Sequence, residues 1–197
     1  KGQVLVDGVD VRDYKLHDLR KNIGLATQDV LLYSDTIDGN IAYGDSSMPF
    51  ERVTRYAEYS AAAEFINKMP EGYNTIVGER GVGLSGGQKQ RISLARAMAI
   101  KPAILILDDT TSAVDLETEK HIQDSLEHLE FTCTKIIIAQ RISSTRKADK
   151  ILVLKDGRIE ESGNHEELLK KRGYYYELVK LKGGEELFAR AEKKGGE

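Results

Sequence analysis

The sharpest chemical signal in the sequence is the string Leu84-Ser85-Gly86-Gly87-Gln88-Lys89-Gln90-Arg91. A serine and two glycines stand where helical periodicity begins. The exposed backbone N–H groups and the dipole of a helix start attract anions. The glycines would let a phosphate approach the backbone, and Ser85 adds a hydroxyl donor. Ser-Gly-Gly alone would read as a capped helix start after a turn; the eight-residue string is more specific. A second signal is Ile104-Leu105-Ile106-Leu107-Asp108. Four apolar residues followed by a carboxylate describe a buried strand that delivers an acid at its C-terminal end, where open α/β sheets bind ligands. Asp108 there can hold Mg²⁺ directly or through water. Asp109 follows at once and could orient an attacking water.

The elements that must position these residues are legible in outline. Val4 to Gly8 reads as a short strand ending in a turn, Leu16 to Arg20 as one helical turn, and Ile23 to Thr27 as a buried strand. From Pro49 to Met69 the spacing of Ala57, Ala61, Ala62, Ala63, Phe65 and Ile66 predicts a helix, broken at Pro70-Glu71-Gly72. Gln88 to Ile100 predicts another, with Ile92, Ala95, Met98 and Ala99 on one face and Arg91 and Arg96 elsewhere. Ala103 to Leu107 and Lys135 to Ala139 lack polar alternation, so each is expected to be a strand buried on both faces. Glu117 to Leu129 reads as a helix. Lys150 to Glu161, turning at Asp156-Gly157, reads as a hairpin. Helices are expected around His165 to Lys171 and Tyr174 to Lys182, followed by a charged tail, 183–197, expected to fray. Buried strands alternating with helices predict an α/β, three-layer fold, interrupted by a helical block.

Composition narrows the class. The chain has 197 residues with 29 Lys+Arg, 32 Asp+Glu and a net charge of −3, so nothing pulls it globally toward nucleic acid. At about 150 residues per domain it is one domain with room for an insertion. The apolar runs are too short to span a bilayer, and Lys1-Gly2-Gln3-Val4 does not read as a signal peptide. A single cysteine, Cys133, forms no internal disulfide, which suits a reducing compartment.

Taken together, these strings resemble the ATP-binding-cassette (ABC) ATPases. Leu84 to Gln88 matches that family's signature motif, Ile104 to Asp108 its Walker B strand, and Ser112-Ala113-Val114-Asp115 its D-loop. Gln28, after the strand at Ile23, sits where the Q-loop glutamine belongs. The order and spacing agree over almost the whole chain. The resemblance implies a P-loop NTPase-like (RecA-like) core, N-terminally incomplete, with an inserted helical subdomain. The parts would be a partial core with the Q-loop (1–45), the signature subdomain (46–96), a second core segment (97–182) and the tail. ATP and Mg²⁺ would be the ligands. Ser85, Gly86, Gly87, Gln88 and Asp115 would contact nucleotide, Asp108 and Gln28 the metal, and Asp109, Gln140 and Gln28 would serve catalysis.

Thr75-Ile76-Val77-Gly78-Glu79-Arg80-Gly81 resembles the X-loop of ABC exporters, and Thr36-Ile37-Asp38-Gly39-Asn40-Ile41 is also exporter-like. The resemblance then implies partners: transmembrane domains reached through the Q-loop and residues 75–81, and a second nucleotide-binding domain. It implies a place at the cytoplasmic face of a membrane. The alternatives are a soluble ABC ATPase of DNA repair or translation, and a non-catalytic module that holds ATP.

Three departures from the family pattern stand out. No G-x-x-x-x-G-K-[ST] occurs; in the family that Walker A loop precedes the strand at Val4, so ATP binding by this chain alone is expected to be weak. Asp109 stands where the family usually has Glu, one methylene longer, and a misplacement of roughly 1 Å can cost on the order of a hundredfold. Gln140, in Ile136-Ile137-Ile138-Ala139-Gln140-Arg141, stands where the family usually has His and cannot carry a proton as imidazole can. The signature is intact. In the family two cassettes pair head to tail, each ATP lying between one subunit's Walker motifs and the other's signature. The expected assignment is the degenerate half of a heterodimer. His17, His121, His128 and His165 are expected at solvated surface.

Overall fold

The computed structural model describes residues 2–78 and 83–182. Glu79, Arg80 and Gly81 of the expected X-loop, and the tail 183–197, lie outside the described residues. The chain divides into two compact units, Lys1–Ile138 and Ala139–Glu197.

Unit 1 opens with a hairpin, β1 (Leu5–Val6) and β2 (Val9–Asp10). It turns on Asp7-Gly8, both at positive φ (49° and 80°), the backbone that a two-residue hairpin requires. Helix α1 (Leu16–Lys21) leads into β3 (Ile23–Ala26). Then come β4 (Asp35–Thr36), α2 (Ile37–Ile41), α3 (Phe50–Tyr59), α4 (Ala63–Ile66) and β5 (Ile76–Val77), which pairs antiparallel with β4. The long α5 (Gly86–Ala99), β6 (Ile104–Asp108), α6 (Leu116–Glu127) and β7 (Thr134–Ile138) complete the unit.

β3, β6 and β7 form a parallel sheet with β6 in the centre. Its buried face carries Ala26, Leu105 and Leu107, and α5 packs against β3 and β6. A Cβ on Gly24 would strike the carbonyl of Ala97 and lie 2.8 Å from the Pro102 ring, so only glycine lets helix and strand approach this closely. The opposite row is different. Leu25, Ile106 and Ile136 lie in register across the sheet, and Leu25, Ile136 and Ile138 are 54%, 46% and 52% exposed. β7 is therefore not the doubly buried strand expected at Lys135 to Ala139. Burial on both faces needs a layer on each, a property of the assembled sheet that an apolar run does not encode.

The helix expected over Pro49 to Met69 is two helices. α3 ends in a Schellman arrangement: the Ala62 amide donates to Ala57 O (2.7 Å) and the Ala61 amide to Glu58 O (2.9 Å), with Ala61 left-handed at φ 57°. That φ costs a β-carbon-bearing residue about 1–2 kcal/mol. Arg91 Nη1 donates to the freed Ala61 carbonyl at 2.9 Å and its guanidinium lies 4.7 Å from the Phe65 ring centroid. The alanine spacing continues across the break, which is why periodicity alone does not reveal it.

In unit 2, β8 (Ile151–Lys155) and β9 (Arg158–Gly163) form the expected hairpin, turning at Asp156-Gly157, φ 49° and 74°. α7 (His165–Lys171) and α8 (Tyr174–Lys182) span the expected ranges. Asn164 and Glu167 make a capping box at the start of α7. Ile151, Val153, Leu168, Tyr175 and Val179 form the core of this unit. His165 is half-buried, its Nδ1 2.8 Å from the Tyr175 hydroxyl, rather than a solvated surface residue. No described helix is long and apolar enough to cross a membrane.

A charged staple holds the helical block to the rest of unit 1. Glu130 accepts from Arg55 Nη1 (2.7 Å), Tyr56 Oη (2.9 Å) and Lys101 Nζ (2.8 Å). Lys101 first, then Tyr56 and Arg55, hold the carboxyl down at about 2, against an ordinary 4.5. A depressed carboxylate stabilises the fold above its unfolded pKa and loses that contribution as pH falls toward its folded pKa. Glu130→Gln is expected to lower stability at neutral pH by about 1 kcal/mol. The difference from wild type should shrink as pH falls below 4.5 toward 2, checked by urea melts at stepped pH.

Candidate functional site

The parallel register places chemistry at one edge. Ala26 pairs with Leu107 and Asp108 with Ile138, so the strands end together and Gln28, Asp108 and Asp109 leave the same C-terminal side of the sheet. Asp108 is half-buried and Gln28 exposed. Asp109 is buried and left-handed, φ 49°. Asp is among the few side chains that enter this region at small cost. Its backbone is held on both sides: the amide donates to Ile138 O (2.8 Å), and the carbonyl accepts from Ser112 N (3.3 Å) and Ser112 Oγ (2.9 Å).

The start of α5 is a capping box. Ser85 Oγ accepts from the Gln88 amide (3.3 Å) and Gln88 Oε1 accepts from the Ser85 amide (2.9 Å). An accepting hydroxyl keeps its own O–H to donate, and Ser85 is exposed. The two glycines after it have different surroundings. A Cβ on Gly87 would lie 2.6 Å from the Ala113 carbonyl, so packing requires glycine there. Among the described residues, a Cβ on Gly86 would meet nothing within 4 Å. Gly86 therefore leaves an approach to the helix N-terminus free from outside. The geometry is that of a half-site for an anion: a hydroxyl, exposed backbone at Gly86 and the positive end of a 14-residue helix.

Asp115 caps α6, accepting from Thr118 N (2.9 Å) and Thr118 Oγ1 (2.8 Å). Those bonds hold its carboxyl below the usual carboxylate range. The carboxylate serves the helix within the chain and is exposed. Gln140 belongs to unit 2 and is exposed. The residues available to Mg²⁺ fit a metal that uses one or two protein carboxylates and completes its shell with phosphate and water: Asp108 and Asp109 follow each other at the strand end.

Sequence reasoning missed three residues that hold the site together. Gln90 lies inside the conspicuous string, buried at 6% exposure, and reaches the loop Ser112–Asp115. Arg96, expected off the apolar face, donates from Nε to Asn40 O (2.8 Å), from Nη1 to Leu31 O (3.0 Å) and from Nη2 to Asn40 Oδ1 (2.7 Å). Its guanidinium also lies 5.1 Å from the Tyr33 ring, which stacks on Tyr43 at 4.1 Å. Asn40 is fully buried and donates onward to Tyr33 O and Thr36 O. The only sequence signal was an arginine in a helix whose apolar residues are not confined to one stripe.

Arg96→Lys keeps the charge and loses the planar fork. It is expected to destabilise the fold by about 1–3 kcal/mol, the cost of buried acceptors left unmatched, measured by thermal denaturation.

Comparisons with known proteins establish the family and the fold. The sequence model described as "ABC transporter" matches residues 1–112. The chain is 48% identical over 187 residues to the ATP-dependent lipid A-core flippase of Aromatoleum aromaticum, covering 94% of this chain and 31% of that protein. It is 49% identical over 180 residues to an uncharacterized ABC transporter ATP-binding protein, YknU, of Bacillus subtilis, covering 91% and 31%. The structure of a bacterial Atm1-family ABC exporter with ATP bound superposes with a TM-score of 0.89 at 40% identity, over 94% of this chain and 33% of that one. The chain thus spans about a third of the length of each of these relatives. The fold is accordingly that of a P-loop NTPase, and the chain belongs to the ABC transporter family.

Proposed function

We propose that this chain is part of the nucleotide-binding domain of an ABC exporter, coupling ATP binding and hydrolysis to transport across a membrane. The observation that carries the reading is the pairing, within unit 1, of an open glycine-serine helix start at Ser85–Gly86 with a carboxylate pair at the end of the central parallel strand. The names of the relatives, a flippase and an ATP-bound exporter, support the exporter over a soluble ATPase.

In this reading, Ser85, Gly86 and Gln88 donate to phosphate oxygens through hydroxyl, backbone and side-chain amide groups. The helix dipole adds to their pull, and none of these groups has to reorganise when charge develops. Asp108 would hold Mg²⁺, which when bound neutralises charge on the phosphates. Asp109 would accept a hydrogen bond from the attacking water, and Gln28 would orient it. Asp109 is short for this task, and Gln140 offers a hydrogen bond without a titratable ring. Both changes weaken the chain's own half of chemistry and leave the Ser85–Gln88 half intact.

That asymmetry supports a heterodimer in which this chain is the degenerate partner. Its helix start completes the site built on the partner's Walker motifs, and its own site binds nucleotide with slow turnover. Asp115, exposed beside the helix start, would face the partner's nucleotide. Transmembrane domains would dock near Gln28 and residues 75–81, which puts the chain at the cytoplasmic face of the membrane. A complete site for the chain's own nucleotide needs a Walker A lysine, and no G-x-x-x-x-G-K-[ST] occurs in this sequence. A polypeptide of this sequence alone is expected to show no micromolar ATP binding by calorimetry.

The assignment is tested in the assembled transporter. Ser85→Arg should cut ATP turnover by about a hundredfold or more, because it blocks donors aimed at developing charge. Asp109→Asn should leave turnover within about twofold of wild type, since a slow site contributes little to the total rate. The opposite pattern, with Asp109→Asn inactive and Ser85→Arg active, refutes it.

A further inference from the structure

We infer that Gln90 is a positioning residue that ties the nucleotide-facing start of α5 to the carboxyl end of β6. The inference rests on the reading above and adds to it a link within one subunit. Gln90 uses both ends of its amide on one loop: Nε2 donates to Ser112 Oγ (3.3 Å) and Oε1 accepts from the Ala113 amide (3.2 Å). Ser112 passes the connection on, donating from N (3.3 Å) and Oγ (2.9 Å) to the Asp109 carbonyl. A second contact runs alongside the first. Gly87, three residues before Gln90, leaves no room for a side chain against the Ala113 carbonyl, and a Cβ there would also sit 3.6 Å from Val114. Val114 is buried.

Gln90 thus lies between the two halves of the chemistry. One turn of helix away is Ser85, capped and exposed. Three residues before Ser112 is Asp109, in a left-handed backbone that owes its placement to Ser112 and Ile138. An apolar residue at position 90 would fill the space equally well. Only an amide offers a donor to a hydroxyl and an acceptor to a backbone N–H at once. The steric stop at Gly87 sets how near the loop can come; Gln90 sets where along the helix it sits. The register of the Ser85–Gln88 clasp relative to the strand end therefore depends on Gln90.

The consequence is kinetic. The clasp meets the partner's nucleotide only when the two cassettes close, so loosening it weakens the closed, reacting state and spares initial ATP binding. Two variants separate this from a structural role. Gln90→Met keeps length and burial and removes both hydrogen bonds; Gln90→Glu keeps the acceptor for Ala113. In the assembled transporter Gln90→Met should lower kcat about fivefold to tenfold, the equivalent of one neutral hydrogen bond. KM for ATP should stay within about twofold, and Gln90→Glu should recover part of the rate. Amide exchange at Ala113, read by mass spectrometry, should rise in Gln90→Met. If Gln90→Met fails to assemble, Ser112→Ala, which cuts the Nε2 half of the link from the loop side, takes its place with the same expectations for kcat and KM, and a wild-type kcat there overturns the positioning role. Faster exchange with wild-type kcat overturns the positioning role. If the wild-type transporter does not turn over ATP, the reading under Proposed function fails; unchanged exchange at Ala113 then overturns the link as well, and faster exchange upholds it.

Discussion

Arg96 carries its charge into the packed side of α5 and meets three oxygens there, two carbonyls and the side-chain oxygen of Asn40. Burial pushes its pKa down, and the tyrosines at 33 and 43 push it back up. The guanidinium stays in place because its flat fork matches what it faces. Asn40 then hands the connection to the backbone at Tyr33 and Thr36. The segment of residues 31–43, which holds the short β4 and α2, is in this way fastened to the longest described helix. The helix in turn carries Ser85 and Gln88 at its start, so the placement of that first turn and of the segment after Gln28 share one support.

The other support is close approach. α5 can lie on β3 because Gly24 has no side chain, and it can press on the loop after β6 because Gly87 has none. Between these two points the helix is buried on nearly every side: Ile92, Leu94, Ala95, Met98 and Ala99 are inaccessible, and the polar Gln90 and Ser93 are buried with them. A helix held this way has little freedom to slide. Interiors packed to crystal-like density respond to displacement by switching arrangement, not by stretching. The Gln90 link draws its significance from that stiffness, since a soft helix would not transmit the position of its first turn to a strand end.

Some of this was legible residue by residue. The hairpin at Asp156-Gly157, the helices α7 and α8, and the strand ending at Asp108 follow from local signals, and the structure has them at nearly the ranges expected. The break at Ala61 was not legible, because alanine spacing runs through it and its stabilising partner, Arg91, stands thirty positions away in the chain. The exposure of β7 was not legible either. Ile136, Ile137 and Ile138 look alike in sequence, yet only Ile137 packs against the core. The family resemblance proposed site residues by pattern; it did not indicate that Gly86 and Gly87 stand in different surroundings.

By itself, then, the sequence determined what a few neighbouring residues can settle: the capping box of Ser85 and Gln88, the acid at the end of an apolar strand, the turn residues, and the substitutions at Asp109 and Gln140. Each depends on backbone geometry within a few positions. Only the tertiary structure decided that Gly87 serves packing while Gly86 stays open, that Gln90 grips Ser112 and Ala113, and that Arg96 is a buried anchor. Those outcomes rest on contacts between residues far apart in the chain. Which pairs meet is set by how helix and sheet close on each other, a quantity no local pattern contains.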